Sequence, residues 1–305
     1  MDILSRLIDL SHLRPLLDLR CQLAGEFAVN HDPAEKGTIP FHLILGGDCI
    51  IRTPAGADIR MRSGDFLLFP RGSAHTIIGS RPGMQRIPPL LTDGRILPLR
   101  VNGEGEPDVD LICGHFTYAF NSSTLLLDGL PDIFHVSLIQ SQSEETLKML
   151  MTLLRQETIV ERQGALTIMT ALCLALVTMA LRTRDNGTPA ASPGLLSLLE
   201  DERLARSVKS MMQTPAHPWT LEELAARSAM SRATYARRFK DNAGMTPGAF
   251  LTELRMSLAS DLLLHSQRTT ADVAAEVGYE SEAAFGKAFK VAKGLSPGRF
   301  RAQTT

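Results

Sequence analysis

The feature that most constrains this 305-residue chain is an internal repeat near its C-terminal end. Ser231–Phe250 reads SRATYARRFKDNAGMTPGAF and Ser281–Phe300 reads SEAAFGKAFKVAKGLSPGRF, an offset of 50 with 8 of 20 positions identical. Upstream, Leu224-Ala225-Ala226 matches Val273-Ala274-Ala275 at an offset of 49, so one turn differs by a residue. Two copies are too few for a solenoid, and the period is long for one. A small module is used twice.

Each copy resolves into helix, tight turn, helix. Thr220 is placed to cap a helix that carries Glu222 and Glu223 in its first turn, where the helix dipole favours them. After the turn at Ser228–Met230, Ser231 caps a second helix. That helix buries Tyr235 and Phe239 and exposes Arg232, Ala233, Ala236 and Arg237, with Arg238 and Lys240 nearby. Gly244 suits the position after the helix, and Thr246-Pro247 starts the next one. The second copy repeats the pattern with Ser281, Phe285 and Phe289, Gly294 and Ser296-Pro297, and Phe250–His265 reads as a rigid helical spacer. Two helix-turn-helix units held about 34 Å apart would enter successive major grooves, roughly 10 bp apart. Basic side chains and helix N-termini then contact phosphates, and the first residues of each second helix reach base edges. A plain helical bundle produced by duplication is the competing reading.

Charge favours the nucleic-acid reading. The net charge of −1 is a sum over two unlike parts: 15 Lys+Arg against 9 Asp+Glu from Arg203 onward, and 17 against 24 before it. An acidic front and a basic back point to two domains with different partners.

From Leu204 to Gln303 the pieces A-x-x-x-x-M-S, R-x-F-K, G-x-T-P, V-G-Y-x-S, F-x-x-x-F-K and G-x-S-P follow one another in order. This third of the chain closely resembles the DNA-binding domain of the AraC/XylS family of bacterial transcription regulators. The resemblance implies base contacts from Ala233, Ala236 and Arg237 in the first unit, and from Glu282, Ala283, Gly286 and Lys287 in the second. Alanine and glycine cannot form bidentate base contacts, so Arg237 is the chief candidate for direct readout. Glu282 either accepts from a cytosine amine or serves its own helix dipole.

The front of the chain, to about Phe120, has short apolar runs (Phe41–Leu45, Cys49–Ile51, Phe66–Phe69, Leu111–Cys113). They are broken at Gly46-Gly47, Pro54-Ala55-Gly56, Ser63-Gly64 and Pro70-Arg71-Gly72, which suggests a sandwich or small barrel. Arg81–Pro107 is rich in Pro and Gly and reads as a long connection. Ser143–Gln156 and Gln163–Arg184 read as a helical pair, and Asp185–Gly194 as a linker. Ala165–Leu181 is uncharged for 17 residues, at the short limit for a membrane span, and three threonines dilute it. It is read as a buried helix and candidate dimer face.

Gly64–His75 fits G-D-x4-P-x4-H, and Phe41–Gly47 looks like a degraded companion, so the front resembles a cupin-type sensor domain. Metal-binding cupins offer two His and a Glu in that companion motif, and here only His42 is present, which disfavours a cupin enzyme. His42 and His75 can still meet inside the barrel, with Cys21 as a third ligand for zinc, or be hydrogen-bonded without any metal. Cys21, Cys49, Cys113 and Cys173 are scattered with no C-x-x-C pair, and no secretory segment opens the chain, so a reducing cytoplasm is expected. Cys21 stands beside Arg20, whose charge favours a reactive thiolate, although neighbouring strand side chains point to opposite faces. MDILSRLIDL, Cys21, the cupin pattern and Leu111–Phe116 together resemble the reactive-chlorine-responsive branch of the AraC family. That resemblance implies a sensor role for Cys21 with Cys113 as second thiol; Cys49 and Cys173 sit in apolar surroundings and are read as inert. A small ligand in the barrel is the alternative signal.

The expected architecture is α+β: a cupin-like β-barrel over 1–140, a helical dimerisation and linker region over 141–194, and an all-α double helix-turn-helix over 195–305. The expected function is a cytoplasmic, homodimeric regulator, an activator acting on double-stranded promoter DNA and RNA polymerase, with no membrane partner. The alternatives are a cupin-fold enzyme with a helical appendage and a DNA-binding protein indifferent to any ligand.

Overall fold

The computed structural model describes residues 2–79, 87–94, 96–103, 105–118, 125–140, 144–160, 162–183 and 193–302. The strands are β1 (Arg14–Leu23), β2 (Ala28–His31), β3 (Thr38–Arg52), β4 (Asp58–Arg62), β5 (Asp65–Leu68), β6 (His75–Gly79), β7 (Leu90–Thr92), β8 (Leu99–Val101), β9 (Val109–Thr117) and β10 (Phe134–Ser137). The helices are α1 (Ile3–Ser11), α2 (Leu125–Asp128), α3 (Glu144–Ile159), α4 (Ala165–Arg182), α5 (Leu195–Glu200) and α6 (Glu202–Gln213). They continue with α7 (Leu221–Arg227), α8 (Arg232–Ala243), α9 (Pro247–His265), α10 (Thr270–Glu276), α11 (Glu282–Lys293) and α12 (Pro297–Ala302). The chain forms two compact units. A sheet unit comprises Arg14–Tyr118 and Pro131–Thr188, and a helical unit comprises Met1–Leu13, Ala119–Leu130 and Pro189–Thr305.

In the sheet unit the strand order is β10-β5-β3-β9-β1-β8-β7, with β4 and β6 also on β3 and β2 on β6. The result is a curled, cupin-type half-barrel, and β3 carries the curl. Its first part pairs with β5 and β9, and its last residues, Asp48–Arg52, pair with β4 and β6. The change falls at Leu45–Gly47: the register slips against β9 between Ile44 and Gly46, and Gly47 takes φ +72°. A Cβ on Gly47 would lie 1.7 Å from the Asp108 carbonyl oxygen, so the bend requires glycine. The two apolar runs read as separate strands are thus one bent strand of 15 residues. Alternate residues divide between faces, so Cys21, Ile44, Leu67, Ile77, Leu111 and Cys113 pack inside the curl. On the other face Phe41 stacks on Phe66 and meets Phe116 at a tilt.

The stretch read as a plain connection carries β7 and β8, and β8 pairs in parallel with β1, Cys21 opposite Arg100. Within it, residues 81–86, 95 and 104 lie outside the described ones. Helix α4 packs on β1 and α3 packs on α4. By length and a mean hydropathy of 1.9, α4 would be able to cross a membrane. In this fold a stripe of Ala165, Met169, Cys173, Leu176, Val177 and Ala180, three or four residues apart, is buried. In the linker read after it, residues 185–192 lie outside the described ones.

In the helical unit both copies of the repeat form as read. Thr220 and Thr269 each close a capping box, with Glu223 and Asp272 respectively. Ser231 and Ser281 each accept the N3 amide of the following helix, and Gly244 and Gly294 end those helices at φ +73° and +75°. The 19 residues of α9, roughly 28 Å long at helical rise, form the spine. Tyr235, Phe239, Phe250, Phe285, Phe289 and Phe300 share one core with Leu7 and Leu10 of α1, which sequence reading had left with the front of the chain.

Candidate functional site

The first candidate surface is the pair α8 and α11. Burying Tyr235 and Phe239 turns the opposite face of α8 to solvent, so Arg232, Ala233 and Arg237 are exposed and Ala236 is half-buried. Phe285 and Phe289 do the same for α11, where Glu282, Ala283 and Lys287 are exposed and Gly286 is half-buried. Nothing occupies the space where a Gly286 side chain would be, so the backbone there is open to close approach. Among the described residues no ion pair holds Arg232, Arg237 or Lys287.

Other basic residues of this unit are committed to the fold. Arg238 pairs with Asp201 at 2.6 Å, and Asp201 also caps α6. Arg203 donates to the Ser228 and Ala229 carbonyls at the turn between α7 and α8. Arg255 donates to the carbonyls of Pro215 and His217, and Arg301 to those of Leu263 and Arg268. Arg268 is paired with Glu276. The basic surplus read from sequence therefore overstates the charge free to meet phosphates.

The second candidate site lies inside the curl. His42 on β3 and His75 on β6 meet at 2.7 Å through their Nε2 atoms. His75 Nδ1 lies 3.0 Å from the Ser73 carbonyl oxygen, and Phe69 stacks on the His75 ring at 3.8 Å. His42 Nδ1 lies 3.2 Å from Cys113 Sγ on β9. Cys21 on β1 is the diagonal neighbour of Cys113 on the same face, and both thiols are buried in the core of the curl. All four residues singled out for the sensor thus lie together inside the curl, three of them joined by hydrogen bonds. The third imidazole is His31 on β2, directly opposite His75 and stacked on it at 4.7 Å. One ligand nitrogen each from His31, His42 and His75 lies within 4.8 Å of the others. His31, not Cys21, completes the set that fits a metal ion; Cys21 reaches His42 only through Cys113. Sequence reading missed His31, whose signal was its alternation with Val29 on a short strand. A second set, His12, Asp261 and His265, sits half-exposed on the helical unit.

The electrostatics of the interior follow from burial. Burial lowers the pKa of His31 to about 4, with the charges of His75 and Arg100 adding to it. It likewise lowers those of His42 and His75. The neighbouring Cys113 thiol lowers the Cys21 pKa, burial opposes this, and Arg100 reinforces it. The neighbouring Cys21 and burial raise the pKa of Cys113. The cation beside Cys21 is therefore Arg100, brought by β8. Arg20, its sequence neighbour, points away and binds Asp110 in a bidentate pair at 2.7 and 2.8 Å. Burial pushes Cys49 and Cys173 up to about 12, which leaves them unreactive thiols.

Residues 2–184 match a family described as a cupin, and residues 224–303 match one described as a helix-turn-helix domain. An uncharacterized HTH-type transcriptional regulator of Haemophilus influenzae is 32% identical over 301 residues, 99% of this chain and 98% of its own. An AraC-like transcription regulator of Streptomyces lividans is 31% identical over 313 residues, 100% of this chain and 99% of its own. The RCS-specific transcriptional activator RclR of Escherichia coli is 28% identical over 302 residues, 99% of this chain and 97% of its own. With a cupin match and a helix-turn-helix match in that order, and with relatives of one kind aligned from end to end, the chain belongs to the AraC family of DNA-binding transcription regulators that carry a cupin domain.

Proposed function

We propose that this regulator activates transcription from double-stranded promoter DNA in the cytoplasm and takes its signal at the Cys21–Cys113 pair. The observation that carries the DNA part is the exposed, identically capped pair α8 and α11, with Arg237 and Lys287 at matching positions of the repeat. Held by α9, they read successive major grooves, Arg237 by direct contact, Arg232 and Lys287 on phosphates or neighbouring bases. Ala233, Ala236, Ala283 and Gly286 permit close approach more than they select bases, and Glu282 accepts from a cytosine amine or serves its own helix dipole.

The chemistry of the signal follows from the pair. A two-electron oxidant such as hypochlorous acid takes two electrons from the two thiols and leaves as chloride and water. The thiols become one disulfide; of their two protons one enters the water and one goes to solvent. Arg100 beside Cys21 favours the attacking thiolate. The name of the RclR relative, an RCS-specific activator, supports this reading and the activator role. The partly exposed apolar side of α4, with Leu166 and Ile168, meets a second copy of the chain, and the bound dimer engages RNA polymerase.

The test is footprinting and anisotropy of the full chain on its own promoter, reduced and then treated with hypochlorous acid. Binding weakens steeply with salt, and Arg237→Ala relaxes one base position at a cost of about 1–3 kcal/mol. Equal affinity for every sequence would remove the DNA part. A response unchanged in Cys21→Ser would remove the thiol part, and indifference to oxidants and cell extracts would leave a regulator without a ligand.

A further inference from the structure

Inside the curl the hydrogen bonds admit one assignment of protons. His75 Nδ1 faces a carbonyl oxygen, so it carries the hydrogen and its Nε2 is bare. That bare nitrogen lies 2.7 Å from His42 Nε2, which must donate to it. His42 Nδ1 is then bare as well and accepts from the Cys113 thiol. His31 stands outside this chain. Its Nε2 is buried and has no partner among the described residues, which demands an explanation in a folded protein.

We propose that His31, His42 and His75 hold a zinc-class divalent ion whose affinity is linked, through the tautomer of His42, to oxidation of the Cys21–Cys113 pair. The linkage rests on the reading of that pair as the oxidant sensor. Three imidazole nitrogens with a fourth position open is a set that zinc accepts, and the ion supplies the partner His31 Nε2 lacks. His31 comes from β2, outside both cupin-like motifs, and among the described residues no carboxylate joins the set, so the donors differ from those of the metal-binding cupins.

The coupling is a matter of one proton. His42 binds an ion through Nε2 only when its hydrogen has moved to Nδ1. In the reduced protein this reverses the contact with Cys113: the S–H must turn away, and the sulfur becomes an acceptor. In the disulfide no S–H remains to hold the metal-free tautomer, so an Nδ1–H facing the sulfur is the better arrangement. Oxidation therefore removes a buried hydrogen bond from the metal-free state only, which is worth about fivefold in affinity. By reciprocity the bound ion favours the disulfide by the same factor.

The experiment uses the full chain freed of metal with a chelator. Zn²⁺ affinity is read by competition with a chromophoric chelator, and Co²⁺ coordination by its visible absorption, in reduced and disulfide protein. The expected result is one ion per chain with a four-coordinate Co²⁺ spectrum, bound about fivefold more tightly after oxidation. His31→Ala and the milder His31→Gln each weaken binding by at least about tenfold. Cys113→Ser still binds one ion per chain, and its affinity ignores oxidant. His265→Ala, which breaks the surface set, leaves the signal in place. No binding to the reduced protein, or His31→Gln binding like wild type, overturns the site. Equal affinity of the reduced and disulfide forms overturns the linkage. Failure to form the disulfide, read by mass, removes the thiol-sensor reading and the linkage with it, while the site still stands or falls on the His31 variants.

Discussion

Lowering the pH from 7 to 5 should destabilise the sheet unit, and His31 is where the effect can be isolated. Its ring lies against His42 and His75, with Arg100 near, and burial lowers its pKa from 6.5 to about 4. The unfolded chain protonates the same ring near 6.5, so between these values the unfolded state binds more protons. Stability contributed by the neutral ring is intact above pH 6.5, falls as pH falls through that value, and stops changing below about 4. From those two values the loss at pH 5 is about 2 kcal/mol, and the full difference is about 3 kcal/mol. His42 and His75 are shifted the same way and add to the loss. His31→Gln cannot take up the proton. In chelator-treated protein its stability should therefore fall by about 2 kcal/mol less than wild type between pH 7 and 5. Hydrogen exchange at the amides of β2 and β6 reads the sheet unit separately from the helical one. Parallel curves for the two proteins would refute the reasoning, because they would mean that His31 protonates equally easily folded and unfolded.

Three further outcomes are expected. Phe289→Ala removes a fully buried ring that touches Phe285 and Phe300, costing about 3–5 kcal/mol by chemical denaturation, and it should shrink the DNA footprint to the half bound by α8. Asp110→Asn leaves the buried Arg20 guanidinium without its counter-charge, a loss of about 3–5 kcal/mol in the sheet unit readable by urea titration. Ala229 holds a left-handed φ of +50° where the second copy has Gly278 at +86°. Ala229→Gly should therefore raise the melting temperature through a gain of about 0.5 kcal/mol, the relieved strain exceeding the added freedom of the unfolded chain.

The recognition elements were legible because their determinants are local. Thr220, Ser231, Gly244, Ser281 and Gly294 act on amides and carbonyls within a turn of themselves, and the spacings Tyr235/Phe239 and Phe285/Phe289 state which helix face is buried. The turn at Gly46-Gly47 was misread for a related reason. Two glycines mark a break in regularity, but only the pairing partners decide between a reversal and a bend.

By itself, then, the order of residues determined the double helix-turn-helix, its caps and buried faces, and the cupin-like placing of His42 and His75. Tertiary structure decided which charges are free and which groups meet. Arg238 is bound to Asp201, 37 positions away, and so is withdrawn from the surface charge that sequence counts. Arg100 reaches Cys21 only because β8 pairs with β1, while adjacent Arg20 is sent to the opposite face by the period of a strand. His31, His42, His75 and Cys113 come from four strands of one curl, and their contact depends on register and bend, which no local pattern encodes.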